Sequence, residues 1–188
     1  MPLKKLLLLF SVTLFLFSCY KFGKKPENET WTSTPKVWGY KPVYASSETS
    51  AKAIVYSAVP QAVVNAGNIY AFHNYIFQID PGSGIHVIDN STPSAASRIG
   101  FITVKGCTQM SIKNDKLYTN SYDDLVVLDF SNLANVHEHS RLKGVFPELR
   151  YYSPIAQPPV SGWYECPAYD KLVTGWTRDS VYQNCFKN

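Results

Sequence analysis

The chain has 188 residues, 45 % of them hydrophobic, which is enough for one domain with a real core once the N-terminal stretch is set aside. Its 18 Lys and Arg stand against 14 Asp and Glu, a formal net charge of +4. With no basic stripe in the pattern, nothing suits a nucleic-acid backbone, so a nucleic-acid partner is not expected.

Lys4 and Lys5 precede an apolar run from Leu6 to Phe17, interrupted only by Ser11 and Thr13. At 1.5 Å per residue this run covers about 18 Å, short of the roughly 30 Å hydrocarbon core of a bilayer. It reads as a secretory leader over residues 1–18, removed rather than retained. The segment Leu16-Phe17-Ser18-Cys19 that follows resembles the lipobox of bacterial lipoproteins. A cysteine is required there because its thiol accepts the diacylglyceryl group, and the small Ser18 admits the peptidase. Lipid on Cys19 is therefore the expected membrane anchor, two buried acyl chains at roughly 0.8 kcal/mol per methylene holding firmly. Loss of Lys4 and Lys5 with the leader leaves the mature chain nearly neutral.

Residues 19–36 are rich in Lys, Pro, Glu, Asn, Thr and Ser with little periodic hydrophobicity, and read as a flexible tether. Tyr20-Lys21-Phe22-Gly23-Lys24-Lys25 lacks acidic residues resembling a surface-export signal, so the outer membrane with the domain facing the periplasm is the expected location.

From residue 37 to 149 short β-branched and aromatic runs alternate with turn signals, which predicts an all-β domain. Strands are expected near Ile69–Phe72, Tyr75–Ile79, Gly84–Asp89, Arg98–Val104, Met110–Ile112, Leu117–Asn120, Leu125–Asp129 and Val136–Leu142. Asp80-Pro81-Gly82-Ser83-Gly84 and Tyr122-Asp123-Asp124 supply turns between them. One helix is expected, from Glu48 to Tyr56, with Ser47 as its cap.

Laid against itself at an offset of forty residues, the chain aligns Ile85-His86-Val87-Ile88-Asp89 with Leu125-Val126-Val127-Leu128-Asp129, and Ser91 with Ser131. Tyr75-Ile76-Phe77 matches Lys116-Leu117-Tyr118 if one residue is gapped in the turn between. Forty residues suits one four-stranded blade, a unit that buries its faces only against neighbours. The four apolar residues closed by Asp and followed by Ser resemble the LVIVD repeat of bacterial β-propeller-like lipoproteins. Trp38-Gly39-Tyr40-Lys41-Pro42-Val43-Tyr44, Gly67-Asn68-Ile69-Tyr70 and Ser121-Tyr122-Asp123-Asp124-Leu125 are similar to Bacteroidetes members of that family. The resemblance implies a propeller-like architecture and an envelope location, and supplies no catalytic residue. Two clear blades are too few for a ring, so an unclosed, partial propeller is expected. The aromatic-rich segment 150–188 is then a cap or a divergent blade covering an exposed flank.

With Cys19 spent on lipid, Cys107, Cys166 and Cys185 allow at most one disulfide. Cys166 and Cys185 are the expected pair, closing a loop of about 20 residues worth roughly 3 kcal/mol. Cys107 reads as a half-buried free thiol.

The remaining chemistry is thin. Asp89 and Asp129, at equivalent ends of repeat strands, read as Asx-turn acceptors rather than an acid–base pair. His137 and His139 on one strand would project to one face about 7 Å apart, but no third ligand accompanies them, and no metal or cofactor is expected. Phosphate-cradling Gly-rich loops, Gly-x-Ser-x-Gly and His-Glu-x-x-His are absent from the sequence. The platform that suits a ligand is Trp163, Tyr164 and Trp176, whose rings could stack on apolar sugar faces. A non-catalytic binding or scaffolding protein of the envelope follows, partnered through its lipid with the membrane and with another envelope protein; the alternative is a glycan-binding or glycan-active surface protein.

Overall fold

The structure, a computed structural model, describes residues 35–188; the leader, Cys19 and nearly all of the tether lie outside the described residues. Strand β1 (Val37–Tyr44) comes first, then a single helical turn at Glu48–Ala51 and β2 (Val55–Ser57). A first meander follows, β3 (Ile69–Phe72), β4 (Tyr75–Asp80), β5 (Gly84–Asp89) and β6 (Ser97–Thr103). The second consists of β7 (Met110–Lys113), β8 (Lys116–Ser121), β9 (Asp124–Asp129) and β10 (His137–Leu142). The C-terminal segment adds β11 (Gly162–Tyr164), β12 (Val173–Val181) and β13 (Cys185–Lys187). These form three sheets ordered β2-β6-β5-β4-β3, β10-β9-β8-β7 and β12-β1-β11-β13, none of them closed into a barrel. The protein is all-β.

The two meanders repeat in detail. Tyr75 pairs with Asp89 in the first and Lys116 with Asp129 in the second, so the offset is forty-one on the second strand and forty on the third. The difference is one residue lost from the intervening turn. Asp89 Oδ1 accepts the backbone N–H and the hydroxyl of Ser91 at 2.8 and 2.6 Å, and Asp129 Oδ1 accepts those of Ser131 at 3.0 and 2.7 Å. Each Asx turn leads into a 3₁₀ turn, Pro93–Ala95 or Leu133–Asn135, that aims the chain into the fourth strand. That strand carries an irregularity at the same place in both, skipping Ile99 in β6 and His139 in β10. A bulge bends and twists the strand it interrupts, so its recurrence keeps the two sheets alike in shape. At His139 it also breaks the strict alternation on which a shared face for His137 and His139 depended. Among the described residues no three His, Cys, Asp or Glu gather where a metal could sit.

Period-2 alternation places Phe77, Ile79, Ile85, Val87 and Ile102 of the first sheet against Ile112, Leu117, Val126 and Leu128 of the second, forming one dry core. Cys107 lies inside it, fully buried rather than half-buried, and burial pushes its thiol up to about 12. It is chemically inert as a nucleophile.

Each meander also holds the chain that enters it. Asp80, buried in the first sheet, accepts the N–H groups of Val64 and Asn65 at 2.8 and 3.1 Å. Asn120, buried in the second, accepts from Thr108 N at 2.9 Å and donates to the Gly106 carbonyl at 2.9 Å. On the far face of the first sheet, His86 is fully buried beside Asp80 at 3.4 Å, with its ring edge-on to Phe101.

The helix expected over Glu48–Tyr56 stops at Ala51. Ser47 caps it as expected, accepting the Ser50 N–H at 3.1 Å, but residues 55–57 pair with β6 as β2. Four residues are too few to repay helix nucleation, whereas β-branched Val55 and aromatic Tyr56 suit an available sheet edge.

The segment from 150 onward forms a sheet with the first described strand. It recruits β1, the N-terminal strand, as its central element: Val37 to Pro42 pair in unbroken antiparallel register with Val181 to Trp176, and Tyr40 pairs in parallel with Tyr164. The result is a third sheet, of four strands, built from both ends of the described chain.

Candidate functional site

The C-terminal sheet carries the aromatic residues singled out from sequence, and the strand register decides where each goes. Tyr164 shares a row with Tyr40, and Trp176 pairs with Pro42, so both project from one face. Their rings meet edge-to-face at 5.6 Å. Trp163, one residue earlier on β11, points to the opposite face and packs edge-on against Phe186 at 4.9 Å. The three therefore do not form one platform. Trp176 is further fixed by its indole N–H, which donates to the Ile155 carbonyl at 3.1 Å.

On the Tyr164 side the surface opens into a cleft of about 210 Å³ between the turn Leu149–Tyr152 and the loop 165–172. Tyr151 and Tyr169 stack with ring centres 5.2 Å apart and planes within 18°. The Tyr151 hydroxyl donates to the Tyr169 carbonyl at 3.1 Å, while Gln157 donates to the Tyr151 carbonyl at 2.7 Å. Tyr169 is 81 % exposed and the adjoining Tyr152 73 % exposed.

The loop behind Tyr169 is pinned at several points. Cys166 is joined to Cys185 with Cα atoms 5.4 Å apart. Ala168 N–H donates to the Tyr44 hydroxyl at 2.9 Å, and the Lys171 ammonium lies 5.2 Å above the Tyr44 ring. Sequence reasoning placed the ligand surface on Trp163, Tyr164 and Trp176 and passed over Tyr151, Tyr152, Tyr169 and Lys171. The available signal was the position of the tyrosines, two of them shortly before Pro154 and one inside the Cys166–Cys185 loop.

A second cleft, of about 610 Å³, separates the turn Pro81–Ser83 from the Pro154–Pro159 segment, with Trp176 and Lys187 on its wall. Lys187 is occupied, donating to the Pro158 carbonyl at 2.6 Å.

The third candidate is a charged cluster where the Glu48 turn meets the β8–β9 turn. Lys52, itself buried, lies 2.6 Å from Asp123 and 3.2 Å from Asp124. Arg141 reaches Asp124 at 3.0 Å, Glu138 at 2.6 Å and the Lys52 carbonyl at 2.8 Å. Arg150 pairs with Glu48 and, at 3.4 Å, with Asp123. Charges that satisfy one another this fully tie segments together and leave little field for a ligand.

Burial alone would raise the Asp124 carboxyl, but the Gly144 N–H, Arg141 and Lys52 outweigh it and hold the group below the usual carboxylate range. Glu48 is lowered mainly by its bond to Arg150, Asp89 by Ser91, and Asp129 by Lys116 and Ser131. Depressed folded-state values contribute stability that is complete above the unfolded pKa of about 4 and is lost as pH falls through them. At the other limb, Cys107 and Tyr122 are both pushed up to about 12 by burial, so their contribution is complete below their unfolded values and lost as pH rises toward 12. Urea titrations across pH are expected to show a plateau from about pH 5 to 8 with losses at both ends. An acid limb that stayed flat below pH 3 would show these carboxyl contacts to be energetically idle.

Comparisons with protein-family models, with curated proteins and with solved structures find no match for this chain. No helix among the described residues is long and apolar enough to cross a membrane.

Proposed function

We propose that this chain is a lipid-anchored, non-catalytic binding or scaffolding protein of the bacterial cell envelope, built on propeller-like blades of LVIVD type and held at the outer membrane through Cys19. The observation that carries the reading is the repeat. Two meanders share strand register, Asx turn, 3₁₀ turn and bulge at a forty-residue period, and a third sheet, of four strands, joins the first strand to the last three. Repeat units that bury their faces only against neighbours present extended surfaces, which suits binding better than an enclosed reaction chamber. The Leu16–Cys19 lipobox supports the anchor.

Metabolic labelling with an alkyne-bearing palmitate analogue tests the anchor directly. The wild-type protein is expected to take up label and to leave the membrane fraction only with detergent. Cys19→Ala is expected to lose both properties. Label retained on Cys19→Ala, or release of the wild type by salt alone, would overturn the assignment.

A second reading, glycan binding through the C-terminal aromatics, is favoured by one observation: tyrosine rings left largely in water on a loop that a disulfide and several hydrogen bonds hold in place.

A further inference from the structure

Tyr151, Tyr152 and Tyr169 line one cleft, and the loop that presents Tyr169 is already ordered. Tyr169 stands on a backbone fixed on both sides, by the Cys166–Cys185 bridge and Ala168 before it and by Lys171 N–H bonding to the Ala168 carbonyl at 3.2 Å after it. Its ring is buttressed from one side by Tyr151, so the other face is presented to solvent without cost in ring entropy on binding. Rigid, preorganised aromatic faces are what a pyranose ring stacks on, because the C–H-bearing side of a sugar is apolar while its rim carries hydroxyls. A cleft of about 210 Å³ is on the scale of one sugar ring, with Tyr152, Tyr164 and Tyr169 among the polar side chains of its lining.

The charge of the cleft narrows the ligand further. Two cations line it. Arg150 is engaged by Glu48 and Asp123, but Lys171 has no carboxylate within 4.0 Å among the described residues and rests only over the Tyr44 ring. An unneutralised ammonium at the mouth of an aromatic cleft favours a ligand with a carboxylate on or next to its ring. From this we infer that the Tyr151–Tyr169 cleft binds an acidic saccharide, a uronic-acid unit whose ring stacks on Tyr169 while its carboxylate pairs with Lys171. The inference rests on the glycan-binding reading above and supplies its sugar class and its residues, moving the contact from Trp163 and Trp176 to Tyr169 and Lys171.

The test uses full-length lipidated protein in detergent, titrated by calorimetry with trigalacturonate, with neutral cellotriose and with an acidic peptide of equal charge. Trigalacturonate is expected to bind at least tenfold more tightly than cellotriose, and to weaken severalfold between 50 and 300 mM salt as the ion pair is screened. Tyr169→Ala is expected to reduce trigalacturonate affinity at least tenfold. Lys171→Gln is expected to reduce it about fivefold and to abolish the preference over cellotriose. Trp163→Ala, on the opposite face, is expected to leave affinity within twofold of wild type. Both cleft positions are exposed, and melting temperatures within a few degrees of wild type exclude misfolding as the cause. Equal binding of the two sugars, or an unchanged preference in Lys171→Gln, overturns the acidic-sugar assignment and leaves glycan binding standing. Binding of no sugar overturns both, and tighter binding of the peptide reassigns the cleft to protein recognition. None of these outcomes alters the palmitate-labelling result on Cys19, which judges the anchored-protein reading separately.

Discussion

Ending the chain after Pro147 is expected to abolish cooperative folding rather than to yield a smaller stable domain. β1 pairs with β12 and β11 and with no strand of the two meanders, so the truncation strands it with unpaired backbone N–H and C=O groups. The buried side chains of Ala156, Leu172, Val173 and Val181 go with the deleted segment. Leu172, Val173 and Val181 alone forfeit about 4.5–9 kcal/mol at roughly 1.5–3 kcal/mol each. A domain of this size has only about 5–15 kcal/mol in total. The deletion also uncovers the β4–β5 turn, where Gly82 lies against Pro154 and Ile155, and Tyr122 at the β8–β9 turn. The expected product binds hydrophobic dyes, elutes as an aggregate and melts without a sharp transition. A soluble monomer melting cooperatively near the full chain's temperature would show that the core between the two meanders is self-sufficient.

The same arrangement explains which parts of the structure were legible in the sequence. β5 and β9 are recognisable because their partners are the neighbouring strands of the same meander and the strands are largely apolar runs, so local pattern and final environment agree. β10 is expected over Val136–Leu142 although Arg141 is its one residue not fully open to solvent and no hydrophobic alternation marks it. β1, by contrast, is hidden. Its pairing with β12 spans well over a hundred residues, and Pro42 within it argues against an interior strand. The structure accommodates that proline because β11 meets β1 in register only at Tyr40, so Pro42 sits past the point where its missing N–H would be needed.

The candidate site follows the same logic. Residue type alone pointed to Trp163, Tyr164 and Trp176, but which ring reaches solvent depends on the β1–β12 and β1–β11 registers, and these are non-local. Trp163 and Tyr164 are adjacent in sequence and opposite in direction, a period-2 consequence that becomes readable once β11 is known to be a strand. Tyr169 is exposed because the disulfide-closed loop turns it outward, and no periodicity encodes that. The charged cluster was equally hidden. Lys52, Asp124 and Arg141 come together from three separate segments, with only Glu48 and Lys52 at the i, i+4 spacing a reader of sequence would notice.

Tyr122→Ala is expected to be the most destabilising single substitution, at about 3–5 kcal/mol, the range found when a large buried aromatic is cut back to Cβ. Tyr122 is the largest fully buried side chain among the described residues and belongs to neither apolar alternation nor a strand; it sits in the two-residue turn between β8 and β9. Its backbone is held at φ 49°, a left-handed conformation that is uncommon for a bulky residue. What holds it there is its surroundings. A side chain at Gly106 would press within 2.7 Å of the Tyr122 backbone nitrogen, so the 105–107 connection lies directly against the ring, and the hydroxyl donates to the Val173 carbonyl at 3.1 Å. One side chain thus fastens the second meander to the C-terminal sheet. Three variants separate its contributions. Tyr122→Phe keeps the packing, leaves the Val173 carbonyl unpaired and is expected to cost about 1–2 kcal/mol. Tyr122→Gly loses as much packing as Ala but relieves the left-handed strain, so it is expected to be more stable than the Ala variant by up to about 1 kcal/mol, reversing the usual order of these two residues. Equilibrium urea unfolding reads all three. An Ala variant within 1 kcal/mol of wild type, or a Gly variant clearly below Ala, would mean that neither the ring nor the turn conformation fastens the sheets.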